Sequence, residues 1–131
     1  MNEHSFIRSI HNKLHPDVYK WKIHDTFTGG VPDVMYCGPK QILFVEYKYL
    51  KRLPKKDTTL IRHSLTPQQN DWLCRINKPS QAGLIIGCEN QCIILTCDFT
   101  RNISKLNFIE QNRTRSYVAE WISNTVLNQK G

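Results

Sequence analysis

Residues 30–48 constrain this chain more than any other stretch. Gly30-Val31-Pro32 leads into the strand-like run Asp33-Val34-Met35-Tyr36-Cys37. Gly38-Pro39-Lys40 breaks the pattern, and Gln41-Ile42-Leu43-Phe44-Val45-Glu46-Tyr47-Lys48 reads as a second strand. Two apolar runs around a Gly-Pro turn signal predict a β-hairpin. Strand side chains alternate between faces, so Glu46 and Lys48 share one. With Gly38-Pro39 as a two-residue loop, Cys37 pairs with Lys40 and Asp33 falls opposite Phe44. Asp33 is then a diagonal neighbour of Glu46, roughly 7–8 Å away. A three-residue loop instead sends Asp33 to the other face, so the geometry depends on register.

Two carboxylates and an ammonium converging on one strand pair suggest a definite chemistry. Mg²⁺ takes oxygen ligands, commonly one or two carboxylates with waters and phosphate oxygens completing its shell. A lysine beside such a site can orient water or neutralise charge building on phosphorus. Buried near cations, it can also lose its proton and act as a base. The plain alternative is that Asp33 caps a turn and Glu46–Lys48 is a surface ion pair. Against it stands the apolar run Ile42–Val45, which leads straight into the charges and gives like-facing charged residues a buried approach.

The segment G-V-P-D-V-M-Y, nine residues, then E-Y-K resembles the PD-(D/E)xK nuclease superfamily. It is most similar to the small phage-type branch of virus-type replication–repair nucleases and Holliday-junction resolvase-like enzymes. Leu65-Thr66-Pro67-Gln68-Gln69-Asn70-Asp71-Trp72 resembles the glutamine-bearing helix of that branch, and Ala82-Gly83-Leu84-Ile85-Ile86-Gly87 the strand after it. The likeness covers about residues 28–96. It leaves the ends unassigned and implies a restriction-endonuclease-like core, in the cytoplasm of a bacterial or phage-infected cell; the chain length adds the expectation of a single nuclease domain over residues 1–131. The implied activity is a Mg²⁺-dependent endodeoxyribonuclease, with Mn²⁺ as a substitute ion, hydrolysing phosphodiesters by metal-activated water. Asp33 and Glu46 would bind the ion with the backbone carbonyl of Tyr47, Lys48 would handle the water, and Gln69 would orient Lys48 or a water.

Gln69 also has a purely structural reading. Thr66-Pro67-Gln68-Gln69 fits a capping box, with Thr66 as N-cap, Pro67 in the first helical position and Gln69 reaching back. One glutamine is not expected to serve both roles. Some members of the superfamily carry a further acid before the first helix, where Glu3 stands here. The chain offers no register for that role, and an exposed N-terminal glutamate is the simpler reading of Glu3.

At 131 residues the chain has room for one sizeable core, and its 40% hydrophobic content is that of a globular protein. No apolar run approaches the ~20 residues of a membrane span, and Met1-Asn2-Glu3-His4 does not open a secretory signal, so the expected location is inside a cell and away from membranes. The formal charge of +7 suits a polyanionic partner. Its distribution is more informative than its size. From Lys48 to His63 the six cations Lys48, Lys51, Arg52, Lys55, Lys56 and Arg62 face one acid, Asp57. Lys51, Arg52, Lys55, Lys56 and Arg62 therefore read as a loop gripping the DNA backbone beside the candidate site, with a solvated loop as the alternative.

Five cysteines, an odd number without a secretion signal, read as reduced thiols. Cys88 and Cys92 flank a turn and are placed to face each other across a hairpin. His11 and His15 have a metal-binding spacing on a helix but no third ligand nearby, and His24-Asp25 lies on the strand before the motif. Helices are expected over residues 5–14, 67–77 with Pro79 beyond its end, and from Ser116 onward. Residues 19–25 alternate apolar with polar as a strand, residues 84–87 and 92–96 form a second hairpin, and residues 99–114 are irregular. The order predicts an α/β or α+β domain, a mixed central sheet flanked by helices.

Two functional classes follow: a metal-dependent endonuclease, or a non-catalytic basic nucleic-acid-binding module on the same scaffold. Within the first, branched or otherwise structured DNA and a specific site (as for a homing-type enzyme) are both open, the latter calling for a homodimer that supplies two half-sites.

Overall fold

The computed structural model describes residues 1–24, 27–76 and 81–128; the sequence assignments at Asp25 and Pro79 lie outside them. Helix α1 (Glu3–His11) is followed by strands β1 (Tyr19–Lys22), β2 (Val34–Cys37) and β3 (Ile42–Tyr49). Then come α2 (Pro67–Ile76), β4 (Ala82–Cys88), β5 (Gln91–Leu95), α3 (Lys105–Gln111) and α4 (Arg115–Leu127). The strands form one mixed sheet in the order β1-β2-β3-β4-β5, with β3 and β4 parallel and the other pairs antiparallel. Parallel neighbours need a long crossover, and the segment carrying α2 supplies it. The expected α+β class, a mixed sheet flanked by helices, is the observed one.

Local chemistry sets the boundaries. Helix α1 starts earlier than the hydrophobic pattern alone implies, because Asn2 and Ser5 close a capping box: Ser5 N–H donates to Asn2 Oδ1 at 2.8 Å and Asn2 N–H to Ser5 Oγ at 3.0 Å. A short α3 interrupts the stretch expected to be irregular, held at its start by Ser104 and Asn107 in the same reciprocal arrangement. Four residues, 38–41, join β2 to β3, where two were expected, and Cys37 pairs with Ile42. This turn is stitched to the far end of α4. Lys40 N–H donates to the Val126 carbonyl at 2.9 Å and Gln41 Nε2 to that of Thr125 at 3.1 Å. A Cβ on Gly38 would lie 2.4 Å from the Val126 oxygen, so only glycine fits there.

Each face of the sheet carries its own apolar cluster. Under α1 and α4, Phe6, Ile10, Val118, Ile122 and Val126 pack on Val34, Tyr36, Leu43, Val45 and Tyr47. This face also buries a polar chain: His11 Nε2 bonds Tyr36 Oη at 2.8 Å, and Tyr36 Oη bonds Tyr47 Oη at 2.5 Å. Burial, then Lys20 and Lys22, push the His11 imidazole down to about 4, so it is neutral here. On the other face, Leu73 of α2 with Phe99, Ile103 and Phe108 covers Leu84 and Ile86 of β4 and Ile93 and Leu95 of β5. That second cluster takes no residue from β1 or β2.

Two sequence expectations change with the register. Gly87 pairs with Cys92 and Cys88 with Gln91, and the two thiols belong to clusters on opposite faces, so Cys88 and Cys92 do not meet; all five cysteines are free. His11 and His15 do not form a helical pair either: α1 ends at His11, which is bonded to Tyr36, while His15 Nδ1 accepts from the Asp17 N–H. No described helix is long and apolar enough to cross a membrane.

Candidate active site

Strand register brings the carboxylates together. Val34 pairs with Val45, and one further step sets Asp33 directly opposite Glu46 rather than on the expected diagonal. The turn is longer than expected by two residues, an even number, so Asp33 keeps the face of Glu46 and moves closer to it.

Pro32 shapes what happens next along the strand. Phe44 and Leu50 donate their backbone N–H groups to β4, to the Gln81 and Gly87 carbonyls, so the amide and carbonyl of the intervening odd residue Tyr47 face β2. Pro32, the next residue on that side, has no N–H to offer the Tyr47 carbonyl. The Tyr47 N–H donates instead to Asp33 Oδ2 at 2.8 Å, fixing the aspartate at the point where the ladder ends.

Glu46 is 3% exposed. Its Oε2 accepts from Gln69 Nε2 at 3.0 Å and lies 3.5 Å from Lys48 Nζ. Its Oε1 is buried with no hydrogen-bond partner, the one such side-chain atom found among the described residues. Burial, then the Asp33 charge, push the Glu46 carboxyl up to about 8 against the pull of Lys48. Burial likewise raises Asp33, opposed by the Tyr47 N–H, Lys48 and Lys22. Two acids held above their ordinary range beside each other are short of positive charge.

Gln69 closes the capping box and bonds Glu46 at once, which corrects the view that the cap and a contact within the candidate site exclude each other. Gln69 N–H donates to Thr66 Oγ1 at 3.1 Å and Thr66 N–H to Gln69 Oε1 at 2.9 Å, closing the capping box. That leaves Nε2 for Glu46, so the residue it orients is the carboxylate, not Lys48. The start of α2 is seated by Gly30, whose φ of +84° suits glycine and where a Cβ would fall 2.5 Å from the Gln68 carbonyl oxygen.

Three further side chains act on the charges of the site that sequence spacing did not single out as part of it. Glu3 is solvent-exposed, yet burial of its carboxyl and then the Asp33 charge raise it, with Lys48 and the Tyr49 backbone N–H acting in the opposite sense. The exposed-residue reading of Glu3 is thus half of the answer. Lys22 lies close enough to act on both Asp33 and Glu3. His63 is half-buried and lowered by burial and then by Lys48, and its Nδ1 accepts from the Leu65 N–H at 3.2 Å. Tertiary packing brings all three in; the resemblance pointed to Glu3, and no local pattern announces Lys22 or His63.

Of the basic run, Arg52, Lys55 and Arg62 line one groove of about 340 Å³. Lys51 lies in a different one with Arg115, and Lys56 lines neither. All five are exposed. The loop is anchored to the start of α3: Ile61 N–H donates to the Ile103 carbonyl at 2.7 Å, Lys105 N–H to that of Thr59 at 2.9 Å, and Lys105 Nζ to that of Lys55 at 3.0 Å.

Among the described residues no three His, Cys, Asp or Glu side chains form a ready metal cage. The donor set is different in kind: an orphaned Glu46 oxygen, the Asp33 carboxylate and the Tyr47 carbonyl that Pro32 leaves without a ladder donor. Three hard oxygens of this type fit a Mg²⁺- or Mn²⁺-like ion whose remaining positions go to water and phosphate. No family model, curated protein or solved structure matches the chain.

Proposed function

We propose that this protein is a Mg²⁺-dependent endodeoxyribonuclease. The observation that carries the reading is the buried, unpartnered Glu46 Oε1 opposite Asp33. A site evolved only to grip nucleic acid gains nothing from two carboxylates, which repel phosphates. Asp33, Glu46 and the Tyr47 carbonyl would hold the ion. When bound, it supplies positive charge for the phosphate oxygens and lowers the pKa of water. Lys48, anchored on Glu46, orients the attacking water or takes up charge developing on the phosphoryl oxygens. Gln69 keeps Glu46 in the orientation that leaves Oε1 free. The groove of Arg52, Lys55 and Arg62 holds the strand beyond the site through its phosphates.

The deciding experiment is a cleavage panel of junction, flap, single-stranded and plasmid DNA with and without Mg²⁺. Asp33→Asn and Glu46→Gln should each lose on the order of 10³-fold or more in single-turnover rate while still binding DNA. Full cleavage in either variant would remove the reading. Lys48→Met should cost on the order of 10²–10³-fold in rate with little change in affinity, and an unchanged rate would return Lys48 to a plain ion pair.

A further inference from the structure

The row of side chains next to the two carboxylates is apolar, part-buried at Met35 and Phe44 and open at its β1 end. Trp21 pairs with Met35 and Met35 with Phe44 across β1, β2 and β3, on the face that carries Asp33 and Glu46. Trp72 of α2 packs on Phe44 with ring centroids 5.7 Å apart. Tyr19 stands two residues further along β1. An alternating strand ordinarily buries its aromatic side. Here the cluster on this face stops short of β1, leaving Trp21 57% and Tyr19 67% exposed. The step from the Asp33–Glu46 row to this row is two residues, about 6.6–6.8 Å along a strand, comparable to the reach from a nucleotide's phosphate to its base.

We propose that Trp21, with Met35 and Phe44, is a stacking platform for unpaired nucleobases of the strand whose phosphate lies at the Asp33–Glu46 site. The substrate is then single-stranded, flapped or branched DNA rather than continuous duplex. This rests on the nuclease reading above. Bases in a duplex are stacked on each other and present edges, whereas unpaired bases offer a π-face to an aromatic ring. Charge selects the occupant. On the other side of the same strand, Lys20 and Lys22 line a groove of about 350 Å³ with Arg8, and no described carboxylate makes an ion pair with any of the three. A polyanion is attracted to both sides of β1, while a second copy of a chain of formal charge +7 is repelled. A strand of four residues, about 13 Å long, is also a small base for the roughly 800 Å² per partner of a stable protein interface.

The test is anisotropy binding in EDTA, where the platform is read without cleavage, using a single strand, a flap and a blunt duplex of equal length. Trp21→Ala should weaken single-strand and flap binding about 5- to 100-fold and change duplex binding less than about twofold, and Trp21→Phe should restore most of the loss. No loss, or an equal loss on all three DNAs, overturns the proposal. So does a wild-type protein that sediments as a dimer and becomes a monomer on Trp21→Ala, which would make the row an interface between copies. Failure of the nuclease reading shows elsewhere, as absence of Mg²⁺-dependent cleavage by the wild type.

Discussion

Tyr47 and Glu46 are neighbours on one strand, and both are buried polar side chains, yet the two faces of the sheet treat them differently. Tyr47 points toward α1 and α4, where Tyr36 and His11 complete its hydrogen bonding inside a closed apolar cluster. Glu46 points toward the half-covered face, where one oxygen is well bonded and the other has nothing. A satisfied buried group stabilises the fold; an unsatisfied one destabilises it, commonly by about 1–3 kcal/mol and by more when charged. The contrast separates a buried polar group that the fold completes from one that the fold leaves incomplete.

The largest break in that contrast comes from removing the Glu46 charge. Its folded pKa of about 8 lies above the ordinary 4.5, so the protonated carboxyl favours the folded state. That contribution is complete below about 4.5 and is lost as pH rises through about 8, with Asp33 acting in the same sense. His11, lowered to about 4 from 6.5, acts oppositely and only on the acid side of 6.5. The metal-free protein should therefore lose stability between pH 6.5 and 9, by roughly 2 kcal/mol from Glu46. Glu46→Gln should flatten the curve and melt higher than wild type at pH 9. Thermal denaturation in EDTA across that range checks it; parallel curves for the two proteins would mean that Glu46 is not under strain. Added Mg²⁺ should raise the wild-type midpoint and leave that of Glu46→Gln unmoved.

Gln69 gives a sharper and smaller test, because its two ends serve fold and site separately. Gln69→Glu keeps an acceptor for the Thr66 N–H but removes the donor to Glu46. Cleavage should fall about 10–100-fold, the usual scale for a group that orients a metal ligand, with the cap kept and the loss of melting temperature confined to neutral and higher pH, where the new carboxylate repels Glu46. Gln69→Ala should show the same rate loss and also lose about 0.5–2 kcal/mol of stability through the cap. Equal rates in Gln69→Glu and wild type would confine Gln69 to capping.

Smallest of all is the change on the closed face. Tyr47→Phe should cost about 1 kcal/mol by denaturant titration, one net hydrogen bond, and leave the cleavage rate within about twofold, since its backbone groups stay in place. A larger rate effect would mean that the closed face communicates with the open one.

The hairpin and the shared face of Glu46 and Lys48 were legible because period-two alternation is local. The pairing partner of Asp33 was not, because turn length depends on contacts with α4 nearly 90 residues away in sequence. Gln69 was legible as a cap, but nothing in a string of letters says that its amide gives its oxygen to Thr66 and its nitrogen to Glu46. Glu3, Lys22 and His63 depend on how α1, β1 and the basic loop close around one end of the sheet. The exposure of Trp21 ran against its own alternation pattern, since a pattern reports which side is apolar and not whether anything covers it.

The turn held by α4 bears on how such a sequence can change over generations. An extra residue between Gly38 and Gln41 has two fates. It bulges away from Val126 and gives up those bonds, or it is absorbed by slippage that turns Asp33 toward the side of Tyr47. Neither leaves the carboxylates as they are. The last helix lends no side chain to the Asp33–Glu46 pair, yet its end acts as a ruler for the distance between them. Loss of the chain after about Asn124 should therefore disturb the Asp33–Glu46 spacing together with the core, since it removes the buried Val126 along with the carbonyls that hold the turn.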